Sequence, residues 1–243
     1  MSTQHAAYVL HSEDLESDLY AIQAVAGFFG SEDEHSTFRA TRCARLTEPP
    51  VPSAHEALEL RVLDRTGQPV AAYTIGGAEI AEEAEHDGLV DLRVTGYLWD
   101  TPRAGTDEIW ALWRQSGGLG RGAWSGFSEE GREAWIDAAR LCSVWRFPHP
   151  VAADSTGEFE LDGSHVTDPA GLYCALGEAL NGPGGYYGAS LDALKDCLRG
   201  DFGPVAPFTL TWHHSATART HVPETLDRVL RALHAAGVTT LLR

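Results

Sequence analysis

The stretch Gly185–Gly200 constrains the fold more than any other part of the chain, because its residues predict a loop that leads directly into a short helix. Ser190 is a favourable N-cap for that helix, and the glycine at its far end is a common stop signal. The apolar residues after the cap recur at helical spacing and predict one buried stripe, made of Leu191, Leu194 and Leu198. The helix is therefore expected to bury one face and to expose the other.

Two aspartates mark the exposed face of this predicted helix. Asp192 and Asp196 are four residues apart, so both carboxylates lie on one side of the helix, one turn above the other. Like charges at that spacing destabilise an isolated helix, which predicts that something outside the helix favours them. Lys195, the only lysine of the chain, lies between them, and chance is the simplest explanation for its position.

The C-terminal part of the chain closely resembles the barstar family, small intracellular inhibitors of barnase-type ribonucleases. The most specific part of the resemblance is the run Tyr-Tyr-Gly-x-x-Leu-Asp-Ala-Leu-x-Asp-Cys-Leu, which begins at Tyr186. Around it, the sequence predicts strands over 159–161, 208–212 and 238–242 and helices over 168–180 and 223–236. The resemblance covers residues 157–243 and implies an α/β domain, in which a small parallel three-stranded sheet packs with helices.

The resemblance also implies that the chain is an inhibitor and not an enzyme. A carboxylate held on a helix can take the place of the scissile phosphate and bind arginines of the ribonuclease. Asp196 is the candidate for this role, and Asp192 would bind a second basic group one turn away. The two tyrosines would supply flat contact area, and one of them would stack on a catalytic histidine. The candidate ribonuclease-binding residues are Tyr186, Tyr187, Gly188, Ser190, Asp192, Lys195, Asp196 and Gly200.

The segment departs from the family pattern in ways that leave other functions open. Lys195 stands where relatives often carry an aromatic residue, Ser190 where they often carry asparagine, and Ala232 and Ala236 where they carry acidic residues. In an alternative hypothesis, the same acidic helix docks a partner that is not a ribonuclease. A third hypothesis, an enzyme with its active site in residues 1–150, would need a clustered acid/base set that no sequence motif shows.

The charge balance narrows the classes of partner. The chain has 35 acidic and 18 basic residues and a net charge of −17. Such a surface repels nucleic acid and membranes and attracts basic proteins. We therefore expect a basic ribonuclease of the extracellular type as the partner, with no direct binding of nucleic acid and no membrane association. An immunity protein, which protects a cell from its own ribonuclease, fits this pattern.

Cysteine and histidine usage predicts neither a disulfide framework nor a metal site. The four cysteines include no C-x-x-C pair, and His213, His214 and His221 lack further ligands at a fixed spacing. We therefore expect no cofactor and no metal. The residues near the N-terminus are acidic and do not resemble a secretory signal, so a reducing cytoplasm is the expected location.

Two domains are expected, an N-terminal domain over residues 1–150 and the barstar-like domain over residues 155–243, with a proline-rich linker over 148–157 between them. The N-terminal domain is predicted to be α+β with a small antiparallel sheet. Its predicted elements are a helix over 15–29, a β-hairpin with strands 58–64 and 70–75, an acidic helix or loop over 79–87, a strand over 90–98 and a helix that begins at Ser128.

Two features of the N-terminal half allow a binding role but have simpler explanations. Five tryptophans could line a groove, although core packing is the more common use of such residues: Trp99, Trp110, Trp113, Trp124 and Trp135. The glycine-rich run over 117–122 superficially resembles a phosphate-binding loop. It lacks the Gly-Lys-Ser/Thr ending and a preceding strand, so we expect an ordinary loop there.

Overall fold

The computed structural model describes residues 6–30, 34–48, 50–114, 119–146 and 157–243. The chain divides into two compact units, Met1–Gly118 and Leu119–Arg243. This division lies earlier than the predicted one between residues 150 and 155, because the helix that begins after Ser128 packs with the C-terminal elements. The predicted linker over 148–157, apart from Gly157, lies outside the described residues.

Antiparallel strands build the first unit. Its elements are β1 (Tyr8–Ser12), β2 (Ser17–Ile22), β3 (Ala24–Ala26), β4 (His35–Arg45), β5 (Ala54–Leu63), β6 (Pro69–His86), β7 (Leu89–Leu98) and α1 (Thr106–Trp113). The strands follow the order β2-β1-β5-β6-β7-β4-β3, and β2 also pairs with β4, so the sheet closes on itself. The sheet is antiparallel, as predicted, but it is larger than the small sheet expected.

The interior of this closed sheet is filled by aromatic and aliphatic side chains. Residues alternate along β4, so Phe38 and Ala40 point inward and are buried. The ring of Phe28 makes edge contacts with Phe38 and Tyr73, at centroid distances of 4.8 and 5.2 Å. Trp110 of α1 joins this core and donates its indole N–H to the Tyr73 hydroxyl at 3.1 Å.

The predicted helix over residues 15–29 is wrong, because these residues form β2 and β3. The apolar residues of β2 are buried between two partner strands, with β1 on one side and β4 on the other. A short apolar run bounded by turns fits a buried strand as well as a helix face, and only the partner strands decide between them.

The predicted acidic helix or loop over 79–87 is also wrong, because β6 continues through it to His86. Ile80 faces the core, whereas Glu79 and Glu83 point outward. Arg39 of β4 and Arg93 of β7 each lie 3.2 Å from the Glu83 carboxylate. These ion pairs across the strands explain how an acidic stretch is accommodated on the outer face of a sheet. The predicted hairpin and the strand over 90–98 are confirmed as β5, β6 and β7.

The second unit contains the predicted three-stranded parallel sheet with helices. Its elements are α2 (Glu129–Arg146), β8 (Glu158–Asp162), α3 (Pro169–Asn181), α4 (Leu191–Cys197), β9 (Thr209–His213), α5 (Ser215–His221), α6 (Pro223–Ala235) and β10 (Thr239–Leu242). The strand order is β10-β9-β8, so β9 is central, and its Leu210 and Trp212 are fully buried. The strands and helices predicted after residue 157 are confirmed to within two residues, and α5 is additional.

A buried ion pair attaches α2 to the rest of the second unit. The Arg132 guanidinium bonds the carboxylate of Asp168, the N-cap residue of α3, and the two side chains are only 12% and 11% exposed. The same guanidinium donates to the Ser125 carbonyl at 2.9 Å and lies 5.7 Å from the Trp124 ring centre. Charges buried in this way need their partners, because an unpaired buried charge is strongly destabilising.

The glycine-rich run ends in an internal contact. Its described residues lead into a 3-10 turn (Ala123–Gly126), and the Gly122 amide donates to both carboxylate oxygens of Glu178, at 3.0 and 2.8 Å. A carboxylate of α3 therefore occupies the amide that a phosphate would need. Burial raises the pKa of this Glu178 carboxyl above its ordinary value, although the Gly122 amide opposes the rise.

Most of the tryptophans serve the core, as predicted. Trp110, Trp124 and Trp135 are buried, and Trp113 is half-buried, but Trp99 is exposed.

In the part of the chain that the structure describes, no helix has both the length and the apolar character needed to cross a membrane. Within the same residues, no three His, Cys, Asp or Glu side chains come together as a metal-binding group would require.

Candidate functional site

The candidate site is α4, whose local sequence explains its start and its orientation. Ser190 caps it, since the serine Oγ accepts the Ala193 amide at 3.2 Å. Leu194 and Leu198 are buried, as the predicted stripe requires, whereas Leu191 is half-buried. One face of α4 is thus anchored, and the opposite face carries its charged residues into solvent.

The exposed face presents both predicted carboxylates. The Asp192 side chain is 90% exposed and the Asp196 side chain 68% exposed. Lys195 Nζ lies 2.8 Å from Asp192 Oδ1, and an Arg199 guanidinium nitrogen lies 2.9 Å from Asp196 Oδ1. In the described part of the chain, one oxygen of each carboxylate is engaged in this way and the other has no hydrogen bond.

These ion pairs change the electrostatic interpretation of the helix. The Lys195 ammonium, which donates a hydrogen bond to Asp192, lowers the pKa of that carboxyl, and Arg228 of α6 adds a weaker effect in the same direction. Each aspartate therefore has a cation within its own unit, and the repulsion between the two is offset inside the structure. The inference from sequence that like charges require an outside partner is weakened accordingly. Arg199 was not among the predicted site residues, although its spacing of three from Asp196 was visible.

The loop before α4 holds the helix by direct backbone contact at Gly188. This residue has φ +99°, and a Cβ there would lie 2.8 Å from the Leu194 amide nitrogen and 2.9 Å from the Leu194 Cα. Glycine is therefore required on two counts, conformation and space. Gly200, beyond the far end of α4, has φ +144° and open space around it, so only its conformation favours glycine.

The two tyrosines are not exposed, as direct contact with a partner would require. Tyr186 and Tyr187 are buried, with the Tyr186 ring 5.5 Å from the ring of Phe202. The Tyr187 hydroxyl donates to the Pro204 carbonyl at 2.5 Å. Burial raises the pKa of the Tyr186 hydroxyl to about 12, which keeps it neutral. The rings therefore join the loop before α4 to the loop after it, and the acidic face of α4 is the part of the predicted site that a partner can reach.

Asn181, which is not among the predicted site residues, also connects the loops before and after α4. Its side-chain amide donates to the Tyr186 carbonyl and to the Phe202 carbonyl, both at 2.7 Å. A Cβ on Gly203 would collide with the Asn181 side chain, so the chain passes very close to it. One asparagine at the end of α3 therefore fixes both loops that flank α4. Its position directly before the run 182–185, rich in glycine, was the only available signal in the sequence.

A serine, a histidine and an aspartate do meet in the first unit, in an arrangement that bears on the enzyme hypothesis. Ser12 Oγ lies 3.0 Å from His55 Nδ1, and Asp14 Oδ2 lies 3.9 Å from the same nitrogen. A catalytic triad needs the serine and the carboxylate on opposite ring nitrogens. Here the other nitrogen, Nε2, is 3.0 Å from the Pro52 carbonyl, and Ser12 is fully buried. The cluster therefore has the residue types of a triad, but it lacks the geometry of a triad and its serine is not accessible to a substrate. Its hydrogen bond connects β1 to β5.

Comparison with known proteins gives one family match. A family model described as Barstar (barnase inhibitor) matches residues 157–240, which include α4 and both loops that brace it. The match covers about a third of the chain and begins well after the start of the second unit at Leu119. No curated protein matches the chain.

Proposed function

We propose that the chain is a protein inhibitor of a basic ribonuclease of the barnase type and acts through the exposed face of α4. The observation that carries this proposal is the pair Asp192 and Asp196, exposed one turn apart on a braced helix within the segment that matches the barstar family. A ribonuclease binds its substrate phosphates with basic side chains. A carboxylate on a rigid support can occupy that site without itself being cleaved. The chain performs no catalysis in this mechanism.

The braces around α4 make the proposed inhibition energetically reasonable. Asn181, Tyr187 and Gly188 fix the backbone on both sides of the helix before any partner arrives. Binding then costs little ordering of the main chain, and only side chains need to adjust. Asp196 offers one oxygen without a hydrogen bond, and the second becomes available when Arg199 swings away. An arginine of the enzyme could then bind both oxygens, which is the strongest geometry for such a pair.

The cations beside the aspartates favour a partner whose site is more than a uniform positive surface. Lys195 and Arg199 each occupy one aspartate, and Arg228 of α6 is close enough to affect Asp192. A basic ribonuclease must therefore displace these cations or match them with acidic groups near its active site. The second candidate function, docking of a partner that is not a ribonuclease, rests on this same observation. Both candidates use the α4 face and are separated by the inhibition assay described below.

We further propose that the target is a ribonuclease of the extracellular type and that the chain acts in the cytoplasm as an immunity protein. The acidic composition supports a basic target, since the chain carries a net charge of −17. All four cysteines are buried, and burial raises the pKa of the Cys197 thiol on α4 to about 12. A thiol of that kind is unreactive, and the inhibitor would need no disulfide to function.

The test is inhibition of RNA cleavage by a purified barnase-type ribonuclease, with the full chain and an Asp196→Ala variant. If the enzyme's arginines desolvate Asp196, we expect a loss of about 2–5 kcal/mol, mostly as faster dissociation. That range comes from charge pairs of this kind, the barnase–barstar complex among them, and not from this structure. The matched control is Glu158→Ala, which removes an exposed carboxylate from β8.

Three results can be distinguished in this assay. Strong inhibition that Asp196→Ala abolishes and Glu158→Ala preserves supports the proposal. No inhibition by the wild-type chain at micromolar concentration, across several barnase-type enzymes, would favour the non-ribonuclease partner. A melting temperature that falls together with inhibition in Asp196→Ala would show that the aspartate is needed for the fold.

A further inference from the structure

The first unit carries a cluster of exposed aromatic residues that neither its core nor the proposed inhibition uses. Tyr97, near the end of β7, is 57% exposed, and Trp99, the residue that directly follows this strand, is 75% exposed. His35 of β4 pairs with Tyr97 across the strands, and their rings meet edge to face at 4.8 Å. We call these three residues the aromatic patch. Single exposed apolar residues are ordinary, but three adjacent rings need a reason.

The Trp99 ring lies over the neighbouring strand, β6. Gly76 of β6 pairs with Tyr97, and a Cβ on Gly76 would come within 3.1 Å of the Trp99 indole nitrogen. The indole therefore lies against the sheet over a glycine, beside the position of Tyr97. Tyrosine and tryptophan have only two side-chain torsions, so they lose little conformational entropy when they bind a partner.

A groove on the outer face of the sheet begins directly beside the patch. β6 shifts register between Gly76 and Glu79, where Gly77 has φ +54°, and Glu79 then pairs with Thr95, two residues before Tyr97. The groove has a volume of about 540 Å³, and its lining includes the exposed side chains of Glu79 and Arg93 and the half-buried side chain of Thr95. The Arg93 guanidinium in this groove already has a partner, because it lies 3.2 Å from the Glu83 carboxylate.

The charge that remains available in the groove is negative. Among the described residues, Glu79 forms no ion pair, in contrast to Glu83 four positions later. The unit as a whole is strongly acidic, with 20 acidic and 8 basic residues in Met1–Gly118, a net charge of −12. Aromatic faces attract cations, and arginine stacks on them especially well. The aromatic patch, the groove and the net charge of the unit therefore all favour a ligand that carries positive charge.

We propose that the aromatic patch and the adjoining groove form a second binding surface, which takes an arginine-bearing segment of a basic protein. An arginine stacks on Trp99 or Tyr97, and a neighbouring basic side chain reaches Glu79 in the groove. The acidic charge of the unit disfavours nucleic acid and anionic membranes at this surface. This proposal does not depend on the proposed inhibition, because every residue it uses belongs to the first unit.

The test uses the full chain and a fluorescein-labelled octapeptide of alternating arginine and serine, followed by fluorescence anisotropy. We expect saturable binding that weakens as NaCl rises from about 0.05 to about 0.5 M, since exposed charges are screened at high salt. The matched peptide replaces each arginine with citrulline, which keeps the shape and removes the charge, and it should not bind. Equal binding of the citrulline peptide, or no binding of the arginine peptide, overturns the proposal.

Variants then locate the binding surface. Trp99→Ala should weaken the arginine peptide about three- to fivefold, the size of one exposed cation–π contact. Glu79→Gln should weaken it about two- to threefold, with a reduced salt dependence, as for an exposed ion pair. Leu15→Ala and Glu108→Gln are the controls, because they alter an exposed apolar residue and an exposed carboxylate elsewhere in the unit.

A double variant of α4 separates the two proposed surfaces. Asp192→Asn with Asp196→Asn should leave peptide binding unchanged, whereas it should abolish ribonuclease inhibition. If the α4 variant loses the peptide and Trp99→Ala keeps it, the peptide binds α4 and the patch is not a binding surface. Circular dichroism of Trp99→Ala and Tyr97→Ala confirms that each variant is folded, and because both side chains are mainly exposed, unchanged spectra are expected.

Discussion

At the scale of single residues, the chemistry of α4 depends on which cation holds each aspartate. Asp192 pairs with Lys195 inside α4, Asp196 pairs with Arg199 just beyond its end, and all four side chains reach solvent. Exposed pairs of this kind contribute little to stability, because water and salt screen them, so an incoming arginine can displace them at low cost. The internal cations therefore do not block binding, but they adjust its strength and select among partners.

A prediction follows for Arg199. Arg199→Ala releases Asp196 from its internal partner and should strengthen inhibition of a basic ribonuclease by no more than about fivefold, the upper range for an exposed ion pair. Inhibition constants at low and moderate salt measure the effect. Arg219→Ala on α5 is the control for a general loss of positive charge. Weaker inhibition by Arg199→Ala alone would mean that the arginine itself contacts the enzyme.

Gly188 supports the most specific structural prediction at this scale. Gly188→Ala combines a left-handed backbone with a Cβ 2.8 Å from the Leu194 amide nitrogen, so α4 must shift or the loop must rearrange. Strain of this type costs about 1–3 kcal/mol, and inhibition should fall with stability. Gly182→Ala is a matched control, because Gly182 has φ +80° with no atom near the added Cβ. Equal losses in urea unfolding for both variants would show that the contact with Leu194 is unimportant.

At the scale of elements, sequence prediction succeeds where nearby residues determine the element and fails where residues distant in sequence contribute. The start of α4 depends on Ser190 and on leucines a few residues away, and it is predicted correctly. The acidic end of β6 is missed, and one residue that accommodates it is Arg39 of β4, which pairs with Glu83 from a distant part of the sequence. The burial of Tyr187 likewise depends on the Pro204 carbonyl, seventeen residues later. A local sequence pattern cannot identify partners that are distant in sequence.

The contact between α3 and the loop before α2 predicts a pH dependence of stability. Burial raises the pKa of Glu178 in the folded protein, so the folded state binds this proton more readily than the unfolded chain does. The associated stability is fully present below the unfolded pKa and is lost as the pH rises through the folded pKa. Glu178→Gln keeps an oxygen that can accept the Gly122 amide and removes the charge.

The measurement for this prediction is urea unfolding of wild type and Glu178→Gln at about pH 4 and pH 7, the window that begins near the ordinary glutamate pKa. The free energy of unfolding of the variant, relative to wild type, should increase from the lower to the higher pH. Glu158→Gln is the control for the removal of an exposed carboxylate. A difference between variant and wild type that stays constant with pH would contradict a raised pKa at Glu178.

At the scale of the whole molecule, the segment that matches the barstar family is smaller than the compact unit that contains it. The family match begins at residue 157, whereas the unit begins at Leu119. The intervening α2 packs on α3, and its Arg132 neutralises the buried Asp168. Trp124, in the 3-10 turn before α2, is also within contact distance of a Cβ placed on Gly171 in α3. The domain boundary predicted between residues 150 and 155 would place α2 and Trp124 in the N-terminal domain instead.

This packing changes the expected behaviour of fragments. The sequence predicts that residues 155–243 fold alone. A fragment without α2, such as 157–243, however leaves Asp168 unpaired and uncovers the face of α3 that contacts Arg132 and Trp124. Removing one partner of a buried ion pair alone costs about 3–5 kcal/mol, a large part of the stability of a small domain. We therefore expect 119–243 to unfold cooperatively and to inhibit like the full chain, and 157–243 to be unfolded or much less stable.

Asp168→Ser in the short fragment identifies the cause, because serine can still cap α3 and carries no charge. If the unpaired charge dominates, this substitution should restore much of the lost stability in urea unfolding. If exposure of the apolar face of α3 causes most of the loss, Asp168→Ser should restore little stability. Only the longer fragment, which includes residues 119–146, should then be stable. Full stability and inhibition by unmodified 157–243 would show that α2 is dispensable. The functional unit would then coincide with the segment that matches the barstar family.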